Sequence, residues 1–338
     1  MPAKAKPDTL ITGATGFLGR HLTEYMVQSG ATALRALTHN PPPPWLEALG
    51  IECIQGSVLD ASALKRALDG IAFVYHLAGR VSRNPDNTRQ MHAVHVDGTR
   101  ALFAEAIAAQ VKRIVLASSS GTIAVSESAD DRPDESFAAP IEIISRWPYY
   151  ASKAYQEQTA TALAKQPGAP ELVTLNPSLL LGPGDERLSS TNDVLRFLRS
   201  DIPVVPSGGI NFVDARDVAP AFVAAMERGK PGERYLLGGP NWTFREFFGR
   251  LERISKVRAP KIAPPDKLVT FGARLLDRVY RHRGKLPPID AASVEMATYF
   301  WYLDDSKARA ELGFENRDFG ETLFDTVDYL RKHFINAA

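Results

Sequence analysis

A single cysteine, Cys53, stands in a chain of 338 residues. That excludes an internal disulfide framework and any cysteine-rich metal centre, and no metal site is expected. Its surroundings, IECIQG, read as a buried strand with nothing nearby to lower a thiol pKa, so Cys53 is read as core filling rather than as a nucleophile. No apolar run reaches the roughly 18 residues that a membrane-spanning helix requires. The opening MPAKAKP carries charge with no apolar run behind it, which argues against a secretory leader and makes the cytoplasm the expected compartment. An excess of one charge is missing too. Lys plus Arg number 40 against 39 Asp plus Glu, a net of +1, so there is no overall basic field to hold nucleic acid and no nucleic-acid partner is expected. With 44% hydrophobic and 23% charged residues, the chain is neither disordered nor fibrous.

What is present is alternation. TLIT, ATALRAL, IECIQG, IAFVYHLA and VKRIVLA are short apolar runs separated by amphipathic stretches, which predicts repeated βα units and a parallel sheet covered on both faces. ELVTLNP and ERYLLGG extend that sheet past the middle of the chain. GPGDERLSST, IPVVPSGG and KIAPPDK break the regularity with Gly and Pro and predict a second, smaller lobe. The expected division is a flexible tail over 1–7, a first domain over 8–176 to which 211–236 returns, and 177–338 forming mainly the smaller lobe. The proline run 41–44 is punctuation between the second strand and the next helix.

Directly after the first strand comes Thr12-Gly13-Ala14-Thr15-Gly16-Phe17-Leu18-Gly19, followed by a helical stretch. Gly13, Gly16 and Gly19 allow a tight turn, close approach of backbone N–H groups to a pyrophosphate, and close packing of helix on strand. Thr15, Phe17 and Leu18 lie in the same turn. The fold expected is therefore α/β, a doubly wound parallel Rossmann sheet with a smaller C-terminal substrate lobe. The second strand ends Leu37-Thr38-His39-Asn40. No carboxylate stands there to hold the 2′-hydroxyl of NAD or to repel a 2′-phosphate, and Thr38 and His39 can both donate to a phosphate, so NADP is favoured with NAD as the alternative. Arg35 is close in sequence, but its direction is open.

The fifth strand runs into Ser118-Ser119-Ser120, and about thirty residues later comes Trp147-Pro148-Tyr149-Tyr150-Ala151-Ser152-Lys153. Tyr149 and Lys153 are spaced to share a helix face. An ammonium beside a phenol stabilises phenolate and lowers its pKa toward the range of an acid/base catalyst. A serine hydroxyl at the strand's end can hold a substrate oxygen next to it.

These motifs, with HLAG at His76 to Gly79, NPSLLLGPGD from Asn176 and NFVDARDVA from Asn211, resemble those of the extended short-chain dehydrogenase/reductases. The nearest resemblance is to members like dihydroflavonol-4-reductase, 3β-hydroxysteroid dehydrogenase and the hopanoid-associated proteins, and it extends over nearly the whole chain. It implies Tyr149 as general acid/base and Lys153 as the residue that tunes it and contacts the nicotinamide ribose. The serine is Ser119 if the fifth strand is registered from Val111 and Ser120 if counted back from Thr122, with Ser119 preferred. The resemblance further implies that Leu77, Ala78 and Gly79 line the cofactor and that Pro177 and Ser178 pass beside the nicotinamide. Two positions depart from the family pattern. Gly56-Ser57-Val58 stands where an Asp usually reads the adenine, leaving Ser57 as a weaker acceptor and Asp60 three residues late. His95 replaces the Asn of NVxGT, either as a proton-relay member or as a histidine satisfied in the core.

The resemblance leads to an NADP-dependent oxidoreductase moving a hydride between nicotinamide and a carbonyl or secondary alcohol. No bidentate diphosphate clamp is visible near Asn211-Phe212-Val213-Asp214, which favours a small apolar substrate over a nucleotide sugar. An epimerase or dehydratase that retains its cofactor is the alternative, and a catalytically silent NADP sensor a third. Residues 266–285 form an amphipathic helix in which Leu268, Phe271, Leu275 and Val279 share a face near several arginines. It is read first as a lobe helix with a solvated basic side and second as a weak membrane-surface contact. The aromatic run Tyr299 to Tyr302 is a candidate pocket wall or core, and a homodimer is a further expectation.

Overall fold

The structure, a computed structural model, describes residues 6–282 and 291–336. Residues 1–5 of the expected tail lie outside the described residues. The strands in chain order are β1 (Thr9–Thr12), β2 (Leu34–Thr38), β3 (Glu52–Gln55), β4 (Phe73–His76), β5 (Arg113–Ala117), β6 (Glu171–Pro177), β7 (Leu179–Leu181), β8 (Gly209–Asp214), β9 (Arg234–Leu237) and β10 (Asn241–Thr243). Seven of them form one sheet in the order β3-β2-β1-β4-β5-β6-β9, every neighbouring pair parallel. The apolar runs seen in the sequence are continuous because β1, β2 and β4 to β6 are covered on both faces. One face packs against helices Phe17–Gln28 and Ala215–Arg228 through Leu22, Val218 and Phe222. The other packs against helices Ala61–Leu68 and Gly98–Ala108 through Leu64, Leu68, Leu102 and Phe103.

β3 differs from the expectation. It is the edge strand and only half-buried, so Cys53 packs one side on the core while its thiol donates to the Ile51 carbonyl at 3.6 Å. Burial, with Glu47 and Glu52 adding, raises that thiol's pKa.

The chain leaves the large sheet after Pro177. β7, β8 and β10 make a separate three-stranded sheet, β8 parallel to β7 and antiparallel to β10. Helices Asn192–Leu198, Phe244–Ser255 and Phe319–Leu330 cover it around Phe197, Phe212, Phe247 and Leu323. Within 211–236, β8 thus belongs to the small sheet, while helix Ala215–Arg228 packs back on the first helix and β9 closes the large sheet. Among the described residues, no helix is long and apolar enough to cross a membrane.

Strand order reverses between β1 and β4, and a crevice opens at such a switch point outside the strands' C-terminal ends. The loops leaving β1 and β4 touch there. A Cβ on Gly13, whose φ is +77°, would lie 2.6 Å from the Leu77 carbonyl carbon.

Candidate active site

The glycine turn fits a pyrophosphate by its shape. A Cβ on Gly19 would fall 2.0 Å from the Gly13 carbonyl oxygen, so helix Phe17–Gln28 can approach the turn only without side chains. Gly16 caps that helix without any side-chain hydrogen bond, and the first turn holds no acidic residue, leaving its amides for an anion. Thr15 lies half-buried in the turn, and Phe17 packs edge-on against His21 at 5.4 Å. Leu18 turns its side chain into the core, so only its backbone faces the turn.

At the end of β2, Thr38 is buried with its Oγ1 unpartnered, and His39 is exposed. Arg35 points the other way, donating to the carbonyls of Ala67 (3.0 Å) and Asp69 (2.7 Å) and to Glu52 (3.1 Å). Ser57 Oγ accepts the Leu59 N–H at 3.1 Å. Asp60 sits late because it caps helix Ala61–Leu68, accepting from Ser62 and Ala63. Val58 packs on Gly98, where a Cβ would come within 2.8 Å of its Cγ2. Ser178 is buried beside Pro177 with its Oγ unpartnered. Glycines that admit no Cβ, open amides and orphaned hydroxyls along one sheet edge fit a dinucleotide.

Helix Pro148–Leu163 carries the residues expected to take part in chemistry. Tyr149, Lys153 and Glu157 recur every four residues and share one face. Lys153 is buried, its Nζ donating to the Ala117 carbonyl and to Gln156 Oε1, both at 2.9 Å. Gln156 Nε2 donates to Thr99 Oγ1 at 3.0 Å, and the Thr99 hydroxyl donates to the His95 carbonyl at 2.6 Å. His76 Nε2 must therefore donate to Thr99 Oγ1 (3.1 Å), while its Nδ1 accepts from the Thr12 hydroxyl (2.8 Å). Thr12 Oγ1 in turn accepts the Ala78 N–H at 3.2 Å. A continuous buried chain thus runs from the ammonium to the start of the glycine turn. Burial, helped by Lys153, lowers the His76 pKa to about 3, so the ring is neutral as the chain requires.

His95 lies in a π-helical turn, Ala93–Asp97. The Ser152 hydroxyl donates to the Tyr149 carbonyl, so His95 Nδ1–H donates to Ser152 Oγ (2.8 Å) and Nε2 accepts the Arg80 N–H (3.1 Å). Both ring nitrogens are satisfied. Burial first, then Lys153, holds its pKa well below the usual range. His95 ties the exposed Gly79 loop after β4 to the helix of Tyr149, whose ring it meets edge-on at 5.9 Å.

Ser119 is the serine near enough to the Tyr149 phenol to lower its pKa, and its Oγ accepts the Gly121 N–H at 3.4 Å. Ser120 is buried, and its carbonyl accepts the Ile123 and Ala124 amides. Sequence reasoning passed over the group that fixes this loop, Glu157, although its spacing from Lys153 was the available signal. Its Oε1 accepts from Ser118, from Thr122 at 2.8 Å and from Asn176 at 2.7 Å.

The expectation that Lys153 lowers the Tyr149 pKa is not what the fold does by itself. Burial, then Tyr150, raises the phenol above its ordinary range, and only the Ser119 hydrogen bond opposes. The phenol is held protonated, as a proton donor must be. Of the aromatic run, Trp301 packs on Tyr150 at 4.8 Å, and Tyr150 lies 5.0 Å from Tyr149. Tyr299 packs on Trp147 (5.2 Å), whereas Phe300 bridges to Gly209 and Tyr302 lies buried against that same glycine. Arg83 and Asp193, also unforeseen, form a bidentate pair at 3.0 and 2.7 Å that joins the loop after β4 to the second lobe. In the VDARD segment, Arg216 is bound to Asp214 and Asp325, each at 2.7 Å. Among the described residues no group of His, Cys, Asp and Glu is arranged to hold a metal.

Residues 9–238 match the NAD dependent epimerase/dehydratase family, and the chain belongs to that family. It is similar over 96% of its length to a protein of Synechocystis sp. provisionally named a dihydroflavonol 4-reductase, at 31% identity and 94% of the relative. It is likewise similar to sterol demethylase protein B of Methylococcus capsulatus, at 28% identity over 96% of this chain and 98% of the relative. The crystal structure of gox2253 superposes with a TM-score of 0.82 at 27% identity, covering 96% of this chain and 98% of that one. The chain is thus an enzyme of the NAD(P)-dependent short-chain dehydrogenase/reductase type.

Burial moves the Lys153 pKa down to about 8, with Glu157 opposing. The ammonium is therefore half-discharged near pH 8 and is lost as pH rises beyond it. The kcat/KM profile is expected to fall about tenfold per pH unit above that point, and Lys153→Arg, charged throughout, should lose the limb while keeping residual turnover. A limb that persists unchanged in Lys153→Arg assigns it to another group.

Proposed function

We propose that this protein is an NADP-dependent reductase or dehydrogenase acting on the carbonyl or secondary alcohol of an apolar small molecule. The observation that carries the reading is the protonated Tyr149 phenol beside Ser119, at the end of a helix whose Lys153 is bonded through to the glycine turn. The nicotinamide, when bound, supplies or accepts the hydride. The Ser119 hydroxyl holds the substrate oxygen next to the phenol. Tyr149 gives its proton to that oxygen in reduction and takes it back in oxidation, with the Lys153 ammonium nearby to offset the phenolate charge. Glu157 keeps the serine loop in register, and His95 keeps the cofactor loop against the catalytic helix.

An apolar substrate is supported by Tyr150 packing on Tyr149 with Trp301 behind it, and by Arg216 being held by carboxylates rather than free for a diphosphate. The names of the two relatives, a flavonoid-type reductase and a protein of sterol demethylation, agree with it. Preference for the phosphorylated cofactor rests on the end of β2, where Thr38 and His39 stand and no carboxylate does. Arg35 contributes nothing there, being held behind the sheet.

Tyr149→Phe should leave cofactor affinity within about twofold and lower kcat by about 10² or more. Unchanged turnover would remove the phenol from the reaction. In calorimetric titration NADPH should bind about tenfold more tightly than NADH, or about 1.4 kcal/mol; tighter NADH binding would overturn the assignment to the 2′-phosphate.

A further inference from the structure

The amphipathic segment of the second lobe is the helix Asp266–His282; its residues 283–285 lie outside the described residues. Its apolar stripe does not face the core. Leu268 and Phe271 are 66% and 69% exposed, and Leu275 and Val279 continue the same exposed face. Ala273, on the opposite side, is the buried residue by which the helix rests on the protein. Amphipathicity here is therefore inverted with respect to packing. An ordinary lobe helix buries its apolar side and solvates its charges. This helix holds four apolar side chains out in a row, with Ile262, 68% exposed, just before it.

Charge identifies the occupant. At 100° per residue, Lys267, Arg274 and Arg278 fall along one flank of the apolar row. Arg274 and Arg278 also line a shallow cavity of about 540 Å³ with Asp277, His282 and Ala291. Arg274 pairs with Glu295 at 3.7 Å. Apolar side chains standing outward beside a basic flank and a basic hollow match an anionic phospholipid surface, with acyl chains receiving the first and headgroup phosphates the second.

We infer that helix 266–282 docks this enzyme on anionic phospholipid membranes, lying in the plane of the interface. The placement relative to the site is direct. The helix packs on Ala291–Met296, where Ser293 Oγ accepts from Arg83 at 3.1 Å, and that segment runs on to Trp301. The helix thus rests, by the side opposite its apolar row, on the segment that leads to Trp301. The inference goes beyond the assignment of the nicotinamide site, and its test needs no turnover, so either can fail without the other.

The test is flotation of the full chain with phosphatidylcholine vesicles and with vesicles containing about 30% phosphatidylglycerol. The protein should float with the anionic vesicles only, and raising salt from about 0.1 to about 0.5 M should weaken the association. The double variant Phe271→Glu/Leu275→Glu should lose at least about tenfold in vesicle affinity, and Arg274→Gln/Arg278→Gln about tenfold. Melting temperature and NADPH affinity should stay at the wild-type values, because these side chains are exposed and outside the active site. Three results would each overturn the inference: no flotation on anionic vesicles; flotation undiminished in Phe271→Glu/Leu275→Glu; or a wild-type dimer that this variant converts to monomer, which would give the face to a second copy of the chain.

Discussion

A buried ammonium organises the rest of this site. Taking a lysine out of water costs several kcal/mol unless its protons find acceptors, and Lys153 finds the Ala117 carbonyl and the Gln156 amide. Gln156 can present its oxygen only if its nitrogen donates elsewhere, which it does to Thr99. That hydroxyl is oriented by the His95 carbonyl, which makes His76 a donor at Nε2 and an acceptor at Nδ1. The sequence of obligations ends at Thr12, the last residue before the glycine turn. Helix Pro148–Leu163, the central strands and the glycine turn are thus joined in one network, in which a change at either end is felt at the other.

The same helix acts as a ruler. One turn from Tyr149 to Lys153 separates the phenol from the charge, and the next, to Glu157, reaches under the β5 loop to fix Ser118, Thr122 and Asn176. Ser119 is left as the hydroxyl at the phenol. Burial keeps that phenol protonated while it pulls the Lys153 pKa down toward 8. Two groups with ordinary values on the same side of neutrality are thereby moved in opposite directions by one buried environment.

The central strands of the large sheet were legible because parallel strands buried on both faces leave uninterrupted apolar runs, and the glycine turn because a Cβ at Gly13 or Gly19 would clash. β7, β8 and β10 were harder to read. β7 and β10 have only three residues each, and β10 pairs antiparallel with β8, Asn241 beside Asn211, outside the βα repeat that the large sheet follows. Glu157, Gln156 and Thr99 are polar residues on helices whose role appears only once those helices are packed together. For residues 266–282 the periodicity showed an apolar face, but no periodicity says which face meets the core. Arg35 shows the same limit in a strand, since its alternation permitted either side of the sheet and the acceptors that hold it lie behind.

The second lobe brings Trp301 against Tyr150 and ties itself to the first through Arg83 and Asp193, so substrate and cofactor would meet in a cleft whose far wall is aromatic. Whether the hydride leaves for good is the question on which the account turns. The direct measurement is the stoichiometry of reduced nicotinamide consumed against carbonyl converted, followed with a panel of apolar ketones and, in parallel, nucleotide sugars. One NADPH should be oxidised for each apolar carbonyl reduced; conversion of a nucleotide sugar with no net change in nicotinamide would instead make the protein an epimerase that retains its cofactor.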